Sequence, residues 1–237
     1  MPDNADVNTD TNTKHLYPLL KGCWLSQESH LILKESCKTF FVLTQQSIKS
    51  NTLTRSVMPR LVAGSNAPEI SLPSIDGGTF NMSEYKGKRV VLTFFRFSTC
   101  PFCNIRINRI VKRWNEFPED TVMVGVFDAK IGELTKRMKK HNAPFAIVAD
   151  ESFEHFEKNS VMKSFSRFMW GAMRSPLTFM QATLKGYFPL TMSISKLSLI
   201  PVDVLIGEDG KVVEAHYCKD TADHLPIDRL IEFAKGK

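Results

Sequence analysis

The chain has 237 residues, of which 43% are apolar and 24% charged, a balance that belongs to folded globular proteins rather than to disordered or fibrous ones. A formal charge of +6 without a long run of Lys/Arg argues against a nucleic-acid partner. No stretch reaches the roughly 18 to 20 uninterrupted apolar residues of a spanning helix. Asp3, Asp6 and Asp10 stand where an export signal would carry basic residues. The five cysteines, Cys23, Cys37, Cys100, Cys103 and Cys218, are too few and too irregular for a secreted disulfide framework. A cytoplasmic protein in a reducing compartment is the expectation.

Residues 1–57 read as an N-terminal extension, partly disordered. The first 13 are polar and lack aromatic residues, so they bury too little apolar surface to offset the entropy of ordering. Apolar clusters around Leu19, Trp24, Ile32 and Phe40 follow without a sustained period. A folded domain is expected over 58–237. It opens with a hairpin whose turn is Asp76-Gly77-Gly78.

Arg89 to Phe97 (RVVLTFFRF) is β-branched and aromatic throughout, as a strand buried on both faces should be. It runs into Cys100-Pro101-Phe102-Cys103. Ile107, Ile110, Val111 and Trp114 then recur at helical spacing, opposite a basic face of Arg106, Arg109, Lys112 and Arg113. A strand over 121–127, a helix over 131–140 and a strand over 145–148 complete an alternation that predicts an α/β fold with a mainly parallel sheet.

Residues 159–199 form an insertion that is basic and rich in aromatic residues and methionine, and no acidic residue occurs from Asn159 to Val202. Val161, Phe165, Met169 and Met173 predict a helix there. The segment reads as a helical elaboration on the core, with a lid, a homodimer surface and a membrane-surface contact as the other readings. After Ile200-Pro201, a hairpin over 202–217 turns at Glu208-Asp209-Gly210, and a helix over 225–234 closes the chain.

The chemistry centres on Cys100 and Cys103. Two thiols three positions apart at a strand-to-helix junction close a small disulfide ring with little backbone movement, because helix geometry brings i and i+3 together. The first thiol faces unsatisfied N–H groups and the positive end of the helix dipole, which favour thiolate, and such sites bring a cysteine pKa below its free value of about 8.5. Pro101 suits the first helical turn, where its missing N–H has no intrahelical partner. Cys100 is therefore the expected nucleophile and Cys103 the resolving thiol. The competing readings are inert packing of two small hydrophobes and a metal-binding or redox-sensing module built on the same pair, although no second C-x-x-C supplies four zinc ligands. No cofactor or resident metal is expected.

The runs VVLTFFRFSTCPFC and VLIGEDGKVVEAHY, with Ile200-Pro201 before a late strand, resemble the peroxiredoxin-like AhpC/TSA family of the thioredoxin-fold superfamily over about residues 60–237. The resemblance implies a central mixed β-sheet flanked by helices, an N-terminal β-hairpin, and a helical insertion before a cis-proline. It assigns that proline, Pro201, a place against the cysteine pair. It also implies an antioxidant oxidoreductase acting on peroxides or protein disulfides, with a thioredoxin or glutathione system as reductant. The segment HYCKDTADHLP is similar to one in this branch where the position of Cys218 is usually glycine. The peroxiredoxin motif P-x-x-x-T/S-x-x-C, placed without gaps, sets Arg96 at the proline, Cys100 at the hydroxyl residue and Cys103 at the peroxidatic cysteine. Neither the proline nor the hydroxyl is present, whereas the dithiol of thioredoxins is intact.

Other residues carry two readings each. Arg96 either raises the positive potential beside Cys100 or points to solvent, and Thr99 and Pro101 are supporting candidates. His216 and His224 are proton shuttles or structural. Cys218 is a third redox partner or a packed strand cysteine. Trp114 reads as core.

Overall fold

The computed structural model describes residues 59–187 and 194–237, and the expected N-terminal extension lies outside them. In chain order the elements are β1 (Ser71–Pro73), β2 (Thr79–Asn81), β3 (Val90–Phe94), α1 (Pro101–Lys112), β4 (Val122–Phe127), α2 (Ile131–Met138) and β5 (Ala146–Ala149). Then follow α3 (Glu154–Lys158), α4 (Phe165–Arg174), α5 (Pro176–Leu184), α6 (Ile194–Leu197), β6 (Val202–Ile206), β7 (Val212–Tyr217) and α7 (Ile227–Ala234).

Five strands form the central sheet in the order β5-β4-β3-β6-β7, and β1 and β2 make the separate entry hairpin. The β3/β4 and β4/β5 pairs are parallel, while β3/β6 and β6/β7 are antiparallel. The sheet is therefore mixed in equal parts rather than mainly parallel. For β6/β7 the physical reason is the Gly207–Gly210 turn, where Gly210 takes φ +73°. It joins β6 and β7 as a tight hairpin, and such a connection can only produce antiparallel neighbours.

Every residue of β3, β4 and β6 is buried, which explains why these strands read as continuous apolar runs rather than as alternating ones. One face carries Val91, Phe95, Met123 and Leu205 into a core with Ile107, Ile110, Leu134 and Leu230 of the helices. The other carries Val90, Leu92, Phe94, Val124 and Val204 against Phe80, Phe156 and Val161. Trp114 is half-buried and stacks on Phe117 at 5.1 Å between centroids, the packing role its spacing predicts.

Two features of the predicted helices change. The insertion helix starts at Phe165, and Val161 is instead buried in the core before it. Arg106, assigned to the basic solvent face of α1, is only partly exposed and donates from Nη2 to the Leu225 carbonyl at 2.6 Å. A long side chain can lay its stem on an apolar surface and deliver its charge elsewhere.

Candidate redox site

The site lies at the C-terminal end of β3. Beyond Phe94 the chain leaves the sheet, and Cys100 becomes the N-cap of α1 with extended φ/ψ of −61° and 120°. Pro101 is the first helical residue, as its preset φ and absent donor favour. Cys100 and Cys103 are both free thiols and both fully buried.

Arg96 is fully buried, not solvated. Its Nη1 donates to Cys100 Sγ at 3.2 Å, its Nε donates to the Leu199 carbonyl at 2.6 Å, and its Nη2 donates to the Leu197 carbonyl. The guanidinium also lies over the Phe97 and Phe168 rings, 5.0 and 4.9 Å from their centroids. A buried cation with three acceptors and two ring faces is held in one orientation, and the thiol is among those acceptors.

Burial is the largest influence on Cys100 and pushes its pKa up. The hydrogen bonds from the Cys103 thiol and N–H, with the Arg96 charge and its hydrogen bond, outweigh burial and bring it down to about 6. Cys103 moves the opposite way. Burial and the neighbouring Cys100 sulfur raise it well above the ordinary thiol range. One thiolate and one thiol, a single helical turn apart, make an ordered pair with Cys100 as the anion.

Asn104 and His141 brace the loop from beneath, and neither was singled out from the sequence. Asn104 Nδ2 donates to the carbonyls of Ser98 at 3.0 Å and Cys100 at 2.9 Å. Its Oδ1 lies 2.8 Å from His141 Nε2, so His141 carries a proton on that nitrogen and donates it. Burial, then the charges of Lys140 and Lys185, lower the His141 pKa to about 4, and the ring stays neutral near pH 7. Asn142 follows in the left-handed region, at φ 46°, which Asn tolerates better than most residues. The chain thus reverses as soon as His141 has been placed. Only the i+4 spacing of Asn104 from Cys100 hinted at this brace.

Pro201 is buried directly before β6, whose register pairs Val202 with Phe94. This puts it at the same sheet end as the dithiol. Its carbonyl accepts the Cys218 N–H at 3.2 Å. Thr99 is half-buried and lines a small cleft of about 30 Å³ with Ser98, Asn104, Lys140 and Tyr187. A roomier concavity, of about 520 Å³, lies at the other end of β3 around Ala67, Tyr85, Val90 and Ile206, away from the sulfurs.

Cys218 and His224 come together elsewhere, around Asp203. The Asp203 carboxylate accepts from Thr93 Oγ1 at 2.8 Å, His224 Nδ1 at 3.0 Å and the Leu225 N–H at 2.9 Å. Burial pushes this carboxyl up, but His224, Arg106 and Thr93 outweigh it and hold it well below the usual carboxylate range. Asp203, Cys218 and His224 have donor atoms within 4.8 Å of one another. With three donors already on the carboxylate and Arg106 adding positive potential, the cluster works as a structural anchor between β6 and the 218–225 loop. Burial raises Cys218 well above the ordinary thiol range, and Asp203 and Asp223 raise it further. His216 is the cross-strand neighbour of Asp203, with Nε2 2.6 Å from the Asp223 carbonyl.

The model of the AhpC/TSA family matches residues 63–215, well over half of the chain. The chain belongs to the AhpC/TSA family. Among the curated proteins of this family, "Peroxiredoxin Bcp" of Bacillus subtilis is 31% identical over 116 residues, covering 47% of this chain and 74% of the relative. "Peroxiredoxin Bcp" of Escherichia coli is 26% identical over 168 residues, covering 70% and 92%. Solved structures agree in fold. Peroxidoxin BcpB from Mycobacterium tuberculosis superposes with a TM-score of 0.54 at 15% identity, covering 75% of this chain and 98% of that one. A peroxiredoxin-like protein from Aquifex aeolicus gives 0.56 at 14%, covering 76% and 90%. The thioredoxin-like architecture of this AhpC/TSA chain, a mixed sheet flanked by helices, accords with both.

Proposed function

We propose that the chain is a thiol-dependent peroxidase in which Cys100 attacks and Cys103 resolves. Membership of the AhpC/TSA family and relatives named peroxiredoxin support a thiol peroxidase. The observation that carries the choice of sulfur is the buried Arg96 guanidinium held 3.2 Å from Cys100 Sγ.

The Cys100 thiolate displaces alkoxide or hydroxide from the peroxide O–O bond. The sulfur is oxidised to sulfenic acid, and the leaving oxygen takes up a proton to give an alcohol or water. Cys103 then attacks the sulfenic sulfur, its thiol proton leaves with the hydroxyl as water, and a Cys100–Cys103 disulfide forms. An external dithiol or two glutathione thiols reduce that disulfide and become oxidised themselves. The same thiolate opens a protein disulfide through a mixed disulfide, so disulfide reduction is the second activity within reach. Regeneration by a thioredoxin or glutathione pool suits a reducing compartment such as the cytoplasm. In this reading Pro201, at the same sheet end, and Thr99, next to Cys100 in the chain, are supporting residues, and Pro101 presets the helix start.

The test compares wild type, Cys100→Ser and Cys103→Ser in parallel peroxide and insulin-type disulfide assays. Cys100→Ser should lose about three orders of magnitude or more in both. Cys103→Ser should keep a single turnover with peroxide, stop at sulfenic acid, and lose the intramolecular disulfide seen by mass spectrometry. Full activity of Cys100→Ser in either assay sinks the proposal.

A further inference from the structure

Helices α4 and α5 show solvent a surface unlike any other on the described residues. Seven of the nine large hydrophobic residues exposed there belong to these two helices. On α4, Phe165, Met169, Trp170 and Met173 occupy one face, with Trp170 58% and Met173 70% exposed. The stripe continues on α5 through Leu177, Met180 and Leu184, the last 81% exposed. Within each helix, spacings of three and four residues keep them on one side.

This is not the face by which the helices pack. Phe168 meets Arg96, Gly171 is buried and Ala172 packs on the core. A Cβ at Gly171 would come within 2.5 Å of Thr221 Oγ1 and 2.8 Å of its backbone nitrogen, so close approach to the body is built into that side. Ala182 is buried on α5, which packs along α1. The helices are thus seated by one face and carry a second apolar face outward. A patch of this kind marks an interaction site.

Charge selects the partner. From Asn159 to Val202 the sequence has no acidic residue, but it has Lys163, Arg167, Arg174, Lys185 and Lys196. Arg167 and Arg174 border the apolar face at helical spacing. Arg174 is tied to Asp220 at 3.2 Å and Lys196 to Asp128 at 3.1 Å, and Lys163 lies over the Phe153 ring, whereas Arg167 is exposed on α4 itself. Trp, Phe, Leu and Met flanked by Arg and Lys is the composition of a helix that lies in the interface of an anionic bilayer, with the apolar face in the acyl boundary and the cations at the headgroups. No helix of the described residues is long and apolar enough to cross a membrane, so the contact is superficial. We infer that the α4–α5 pair docks the protein on anionic lipid surfaces.

The experiment is flotation of the full chain with neutral phosphatidylcholine vesicles and with vesicles containing equal parts phosphatidylglycerol, at low and high salt. Strong partitioning to the anionic vesicles, weakened by salt and weak on the neutral ones, is expected. Trp170→Ser combined with Met173→Ser and Leu177→Ser should lower it about tenfold or more. Arg167→Glu should lower it several-fold on anionic vesicles only. Because all four side chains are exposed, circular dichroism and turnover of hydrogen peroxide in solution should stay at wild-type values, which separates loss of docking from loss of fold. Equal partitioning to both lipids, or unchanged partitioning of the triple variant, overturns the inference. So does self-association of the wild type that the triple variant abolishes in the absence of lipid, since a second copy is then the occupant.

Discussion

Two buried cysteines, Cys100 and Cys218, sit beside buried charges of opposite sign, and the sign separates a thiol of lowered pKa from one of raised pKa. Both are shut off from solvent, and burial alone raises both. Cys100 has the Arg96 guanidinium and two donors from Cys103, which reverse that rise. Cys218 has Asp203 and Asp223, which add to it. Position in the fold decides the matter further, because Cys100 caps the N-terminus of α1 while Cys218 follows a strand. A cysteine's burial says little about its reactivity until the neighbouring charge is known.

The strongest way to break the contrast is to neutralise the anionic side. Asp203→Asn strands Arg106 and His224 beside a buried neutral group, and it should cost about 3 to 5 kcal/mol of stability, read by urea denaturation. Cys218 should become more acidic at the same time. A variant as stable as wild type would mean that Asp203 is not the anchor of the 218–225 loop.

Arg96→Met acts on the cationic side. Loss of a close opposite charge shifts a pKa by roughly 1 to 3 units, so the Cys100 midpoint should move from about 6 toward that of an ordinary thiol. Turnover at pH 6.5 should fall about tenfold and recover in part at pH 9. An equal loss at both pH values would assign Arg96 to structure alone.

A smaller effect is expected from Asn104→Ala, which leaves the carbonyls of Ser98 and Cys100 without their side-chain donor and costs about 1 to 3 kcal/mol. The Cys100 midpoint should rise as its loop loosens, and Asn104→Asp should not restore it because the carboxylate cannot donate. An unchanged midpoint in Asn104→Ala would confine the brace to stability.

The sequence shows the frame of this molecule better than its wiring. Strands β3, β4 and β6 were legible because burial on both faces makes them continuous apolar runs, and α1 because its apolar residues recur at helical spacing. The dithiol was legible because both members of the pair and their helix are contiguous in the chain. Arg96 was not, since a single sequence does not show whether an arginine at a strand end turns inward. The acceptors that hold it, the Leu197 and Leu199 carbonyls, are about a hundred residues away. His141 meets Asn104 across 37 positions, and no local pattern encodes that contact. The α4–α5 surface was legible in composition alone, because the outward direction of its apolar face depends on which side Gly171 seats.

The central claim is that Arg96 and Cys103 make Cys100 the attacking thiolate, and pH-dependent alkylation of the reduced protein tests it most directly. A small alkylating agent is applied from pH 5 to pH 9.5, and each cysteine is followed by peptide mass spectrometry. The pKa of Cys100 is depressed in the folded state, so its thiolate is present above pH 6 and lost as the pH falls through that value. The account predicts that Cys100 reacts first with a midpoint near 6, and that Cys103 and Cys218 stay unmodified until the protein is unfolded. First reaction at Cys103 or Cys218, or a Cys100 midpoint in the ordinary thiol range of about 8.5, would contradict it.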